Sequence, residues 1–204
     1  MSYKAYEILS ERRLVEKILS GDRNAFTFLL KNTEGLVSNM IFKMIPIPGD
    51  RKDLAQDVYL KAFKNLSRFK FKSKLSTWIG QITYNTCLHY LEKKKVILFE
   101  DFESPEEPDD DRVGRKLSGS PAISLQETEQ FFYRRELSAI LDSAIDQLSP
   151  VYKTLITLYH QEELSYLEIA QITSLPAGTV QNYLFRARKA LKDQILLKYK
   201  KGDL

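Results

Sequence analysis

Residues 164–191 read LSYLEIAQITSLPAGTVQNYLFRARKAL, and this stretch spells a complete helix-turn-helix. Ser165 followed three residues later by Glu168 is a capping box, in which hydroxyl and carboxylate each take an orphan backbone N–H. Leu167, Ile169, Ala170 and Ile172 supply a short apolar face. Ser174 to Gly178 reads as a turn, with Pro176 and Gly178 suited to starting a second helix sharply. That helix carries Val180, Leu184, Ala187 and Leu191 on one side, at spacings of four, three and four. Gln181, Asn182, Phe185, Arg186, Arg188 and Lys189 fall on the remainder. An apolar back with an amide- and guanidinium-rich front is what a DNA major groove accepts. An ordinary amphipathic helix pair with a solvated basic face would show the same pattern, so the rest of the chain must decide.

The chain has 204 residues, enough for one medium domain or two small ones. Its 43% hydrophobic content supports real cores, and its 8 glycines and 7 prolines are too few for a strand-and-turn protein. The net charge of +4 is mild but uneven. Lysine and arginine concentrate in Lys61–Lys74, Lys93–Lys95 and Arg186–Lys201, whereas Glu100–Asp111 is acidic. That asymmetry points to a polyanion met through particular faces. The single cysteine, Cys87, excludes an intramolecular disulfide and fits a reducing compartment. Its helical spacing from Trp78, Ile82 and Leu91 reads as packing. The opening MSYKAYEILSERR has no apolar signal region and no run reaches membrane-span length, so a cytoplasmic location without membrane insertion is expected.

Ser10 to Ile45 reads as two helices, with Leu14, Ile18 and Leu19, then Phe26, Leu29, Leu30, Val37, Ile41 and Phe42, as apolar stripes broken at Gly21-Asp22. Pro46 and Pro48 end the second. Asp50 is expected to cap a third helix with Leu54, Val58, Ala62 and Leu66 inside. Ser76 or Thr77 is expected to cap a fourth helix reaching about Lys95. Residues 1–96 thus form one expected helical domain. Residues 97–123, including EDFESPEEPDDD, combine like charges and prolines that oppose a packed core, and read as a flexible acidic linker. Residues 124–204 form a second helical domain: a helix through Phe131 to Leu148, then Ser149-Pro150 as N-cap and first residue of a helix carrying Val151, Leu155, Ile156 and Leu158. The expected class is all-α, two helical domains joined by the linker.

Three segments together resemble one family. GDRKDLAQDVYLKAFKNLSRF (49–69) and STWIGQITYNTCLHYLEKKK (76–95) are similar to region 2 of the bacterial sigma-70 family, and residues 148–191 resemble its region 4. The order and separation, with no length left for regions 1.1 or 3, match the extracytoplasmic-function (ECF) branch. The resemblance implies a factor that binds core RNA polymerase and directs it to promoters, without catalysis or cofactor of its own. It further implies that Asp53, Gln56 and Asp57 dock on the clamp helices of the beta-prime subunit, with further contact to the beta subunit. Physically, two carboxylates and an amide on one helix face can pair with arginines; they would equally favour the positive end of the helix dipole.

For the promoter −10 element the resemblance points to RFKFKSKLSTW and the helix after it. Arg68, Lys70, Lys72 and Lys74 alternate with Phe69 and Phe71, giving cations for phosphates and aromatic faces for unstacked bases. Asn85 and His89 share a helix face, and Lys93 and Lys94 suit backbone phosphates. Trp78 belongs in the domain core or on a base. For the −35 element, Gln181, Asn182, Phe185 and Arg186 are the expected base-edge or close backbone contacts, and Thr179, Arg188 and Lys189 the phosphate contacts. Gln181 and Asn182 depart from the family's frequent Lys/Arg and Ser, and amides suit adenine. The linker reads either as a mimic of a phosphate backbone inside polymerase channels or as a solvated spacer. About 25 flexible residues span on the order of 25–30 Å on average. An anti-sigma factor is an expected further partner of the ECF branch.

Two rivals remain. Asp50, Asp53 and Asp57 or Asp109 to Asp111 could be proposed as metal ligands, but His89 and His160 have no neighbour at ligand spacing and no nucleophile or phosphate-loop motif is present. A stand-alone DNA-binding regulator would use the helix-turn-helix alone, and it leaves the DLAQDVYLKAF segment unexplained.

Overall fold

The computed structural model describes residues 3–94 and 138–198. The expected linker and most of the helix through Phe131 lie outside them. Helix α1 (Tyr3–Leu19) ends in a Schellman motif: Gly21 N–H donates to Ile18 O at 3.0 Å and Asp22 N–H to Lys17 O at 3.0 Å, with Gly21 at φ +91°. Asp22 then turns round as N-cap of α2 (Arg23–Met44), its carboxylate accepting from Asn24 and Ala25 N–H. Two residues thus end one helix and begin the next, and the α1–α2 break falls at the expected Gly-Asp pair.

Helix α3 (Pro48–Asn65) starts with Pro48 at its first position and Ile47 as an N-cap without a side-chain bond. Asp50 is therefore inside the first turn and is not the cap that the sequence led us to expect. Its carboxylate is committed elsewhere, accepting from the Tyr90 hydroxyl. A 3₁₀ turn (Leu66–Arg68) follows, and α4 runs Leu75–Lys93. Neither Ser76 nor Thr77 caps α4. The chain is helical from Leu75, whose N–H donates to Glu11 of α1 at 2.9 Å.

In the second half, residues 138–145 are helical (α5), then come α6 (Pro150–His160), α7 (Tyr166–Thr173) and α8 (Ala177–Lys198). Ser149 precedes Pro150 at the N-cap position as expected, though its hydroxyl bonds nothing. Among the described residues every regular element is helical.

Most expected core positions are inside. Val58, Leu155, Ile169, Ile172, Val180, Leu184 and Ala187 are fully buried. Leu19, Phe42 and Leu167 are corrections: all three are exposed, Leu167 by 69%. Each falls on the edge of a stripe whose centre is taken by better-placed residues, such as Ile169 and Ile172 beside Leu167. The two halves share one continuous apolar core, because α4 packs on α7 and α2 on α6.

Candidate functional site

Three surfaces carry the expected residues. On α3, Leu54, Val58 and Ala62 are buried, which turns Asp53, Gln56 and Asp57 outward and leaves all three exposed. The helix is braced at its start. Besides the Asp50–Tyr90 bond, Arg51 Nε donates to Ile45 O at 2.9 Å and its guanidinium lies 4.4 Å from the Phe42 ring centroid. The outward stripe continues through Leu60, 56% exposed, and Phe63, 50% exposed and edge-on to Phe26 at 5.4 Å. Leu60 and Phe63 were missed in the sequence, although their spacing of seven and ten residues from Asp53 was legible. A polar patch flanked by apolar anchors is the usual composition of a docking surface.

The second surface is the loop after the 3₁₀ turn and the outer face of α4. Arg68, Lys70, Lys72 and Lys74 are exposed. The aromatics between them do not stand open as expected for Phe69. That ring is buried, 4.6 Å from Phe71 and 5.1 Å from Trp78. Phe71 adopts φ +55° and lies under the Arg12 guanidinium at 4.7 Å. The stack fixes the loop's shape and so presents its lysines outward. Trp78 is half-buried, which joins the two alternatives: it closes the stack and still lines a cavity of about 460 Å³ with Arg68, Lys70, Lys72 and Gln81.

Farther along α4, Asn85 and His89 are exposed one turn apart, and His89 Nδ1 is 3.7 Å from Glu92. Lys93 and Lys94 are exposed at the helix end. Gln81, one turn before Asn85 on the same face, was overlooked; its Nε2 donates to Ser174 Oγ at 3.2 Å. Cys87 is fully buried, and burial, opposed by Lys61, pushes its thiol up to about 12, which suits packing and no nucleophilic role.

The third surface is the helix-turn-helix. Both arms of the Ser165–Glu168 capping box are made, Ser165 N–H to Glu168 Oε2 at 3.0 Å and Glu168 N–H to Ser165 Oγ at 3.3 Å. Ser174, at φ +59°, reverses the chain, and α8 begins at Ala177, so Gly178 is helical and not part of the turn. Val180, Leu184, Ala187 and Leu191 bury one side. Gln181, Asn182, Phe185, Arg188 and Lys189 are exposed on the other, with Thr179 and Arg186 half-buried beside them. Behind α7, Tyr159 stacks on Tyr166 at 5.1 Å and 13°.

Among the described residues no group of three His, Cys, Asp or Glu side chains is placed to hold a metal ion, and no helix is long and apolar enough to cross a membrane.

These surfaces coincide with two regions of one family. Residues 29–96 match Sigma-70 region 2 and residues 138–191 match Sigma-70, region 4. Over 191 residues the chain is 30% identical to the ECF RNA polymerase sigma-E factor of Escherichia coli strain K12, covering 93% of this chain and 96% of that one. The chain belongs to the ECF branch of the sigma-70 family. The sigma-E factor of Haemophilus influenzae is similarly related, 31% identical over 195 residues, with 93% and 97% coverage. The fold is also that of CnrH, solved in complex with the cytosolic domain of CnrY, with a TM-score of 0.61, 18% identity and coverage of 92% of this chain and 98% of that one. Within this family frame, residues 29–96, from inside α2 through α3 and α4, are region 2, and residues 138–191, which take in α6 and α7 whole, are region 4.

Proposed function

We propose that this chain is the promoter-specificity subunit of RNA polymerase, without a catalytic site of its own, acting in the cytoplasm. Region 2 docks on the clamp helices of the beta-prime subunit through Asp53, Gln56 and Asp57, with Leu60 and Phe63 as apolar anchors. It takes up the −10 element through Arg68, Lys70, Lys72, Lys74, Asn85, His89, Lys93 and Lys94. Region 4 reads the −35 element: Gln181, Asn182, Phe185 and Arg186 approach base edges, and Thr179, Arg188 and Lys189 hold phosphates. The working units are residues 1–96 and 124–204, with 97–123 joining them and a beta-subunit contact alongside. An anti-sigma factor is the regulatory partner, a reading supported by the solved complex of the fold relative CnrH with CnrY.

The observation that carries this reading is the outward α3 stripe on the same chain as an outward Gln181/Asn182/Arg188 face. A stand-alone regulator has use for the second and none for the first. The test is run-off transcription with bacterial core polymerase on a pool of promoter fragments. Specific transcripts from the native chain, falling at least tenfold when Asp53 and Asp57 become Ala, are expected. DNA binding without polymerase, and no transcripts with it, would establish the stand-alone regulator instead.

A further inference from the structure

Two neighbouring side chains of α1 reach the loop 68–74 at different points. Arg12 lays its guanidinium over the Phe71 ring, 4.7 Å from the centroid, in the middle of the loop. Glu11 accepts the N–H of Leu75, where the loop ends and α4 begins, at 2.9 Å. The start of the loop is held as well, because α1 packs on the 3₁₀ turn and Phe69 N–H closes that turn on Leu66 O at 3.1 Å. Helix α1 ends at Leu19, ahead of the stretch 29–96 that matches region 2. None of the residues assigned above to polymerase or DNA lies on it.

The middle contact is the informative one. Phe71 stands at φ +55°, a left-handed conformation that a bulky side chain keeps only where its surroundings impose it. Two partners impose it here, the Phe69 ring at 4.6 Å and the Arg12 guanidinium. Phe69 in turn rests on Trp78 of α4 at 5.1 Å. A chain of contacts therefore runs from α1 through Phe71 and Phe69 to Trp78. Arg12 is exposed, so it contributes little burial; it contributes a planar cation matched to a π face. The residue it pins lies between Lys70 and Lys72, both exposed.

We infer that Arg12 is a positioning residue for the −10 contact: it holds Phe71, and through Phe71 the placement of the loop's cations, before DNA arrives. The inference rests on the proposed function and adds to it a residue that precedes the matched region 2 stretch. Ordering a loop in advance raises affinity, because the ordering cost no longer falls on the binding step. The effect of Arg12 passes through the Phe71 ring, and that route is what distinguishes it from a phosphate contact.

The test measures the affinity of holoenzyme, assembled from core polymerase and the full chain, for the single-stranded −10 segment of a promoter found by run-off transcription. Arg12→Ala should weaken binding about two- to thirtyfold, the span between an exposed and a desolvated cation–π pair. In a chain already carrying Phe71→Leu, which removes the π face and keeps apolar bulk, Arg12→Ala should cost nothing further. Its salt dependence should match that of the native chain, since no phosphate contact is lost. A full second loss on the Phe71→Leu background overturns the proposal. So does a salt slope smaller by about 1, which would make Arg12 a phosphate ligand.

A second readout needs neither polymerase nor DNA. Trp78 is the one tryptophan of the chain and closes the stack that Arg12 holds. Acrylamide should quench its fluorescence more steeply in free Arg12→Ala protein than in native protein, and equal quenching overturns the proposal. If the native chain supports no transcripts, the sigma reading fails, and the quenching of Trp78 still decides whether Arg12 holds the loop.

Discussion

The carboxylate of Glu11 in α1 accepts the backbone N–H of Leu75, the first residue of α4, at 2.9 Å. Sixty-four positions separate them. α4 has no cap of its own, since Lys74 at its N-cap position makes no side-chain bond to the helix. One of the orphan N–H donors at the helix start is satisfied by another helix, which ties α1 to the start of α4.

Glu11→Ala should therefore destabilise the protein by about 0.5–2 kcal/mol, the usual cost of a lost N-cap. Ser76→Ala, at a position that looks like the cap in the sequence, should stay within about 0.5 kcal/mol of the native value. Chemical denaturation of the two variants decides between them, and equal losses would show that the Glu11 bond contributes nothing.

In α7 the neighbouring apolar residues separate sharply. Ile169 is fully buried and Leu167 is 69% exposed. Ile169→Ala should cost about 2–5 kcal/mol, and Leu167→Ala about 0.5 kcal/mol or less. Thermal unfolding of both gives the comparison; a similar fall in Tm for the two would contradict the placement of α7.

On α8 the residues divide by what they can touch. Replacing Lys189 by Ala should weaken promoter binding almost uniformly across sequences and reduce the salt slope by about 1. Replacing Gln181 or Asn182 by Ala should instead relax the choice of base at one position, by about 1–3 kcal/mol of discrimination. Binding of −35 variants over a salt series measures both, and a Gln181→Ala protein with unchanged base preference removes that residue from the readers.

Acid should act on the contact between α4 and α7 through Glu168, whose carboxylate lies 3.2 Å from Lys74 Nζ. Burial alone would raise its carboxyl, but the Ser165 N–H, the Ser165 hydroxyl and the Lys74 ammonium outweigh burial and hold it below its ordinary value of 4.5. A folded-state value below the unfolded one means the stabilisation is complete above about pH 4.5 and is lost as pH falls through the folded value. The start of α7 and its contact with α4 should loosen in that range. Glu168→Gln should abolish the pH dependence at a lower starting stability. Amide exchange across α7 from about pH 5.5 to 3.5 checks it, and superimposable profiles would sink the assignment.

The helix-turn-helix was legible because its signals are local: Ser165 with Glu168, a turn before α8, and an apolar side at spacings of three and four. The same holds for the α1–α2 break at Gly21-Asp22 and for the outward carboxylates of α3, whose exposure follows from Leu54 and Val58 being inside. Errors arose where a local signal met a distant partner. Asp50 has a capping residue's chemistry, yet Tyr90 takes its carboxylate. Phe69 alternates with lysines as an open base platform would, yet Trp78 and Phe71 stack on it.

The sequence by itself determined the helices, the two regions and which polar faces of α3 and α8 stand outward. Each of those follows from period, capping and charge over fewer than about twenty residues. Only the tertiary structure decided that Glu11 caps α4, that Leu60 and Phe63 stay outside, and that Arg12 lies over Phe71. The reason is physical: burial and pairing between segments far apart in the chain depend on which faces meet. No pattern along one segment specifies the face it will be packed against.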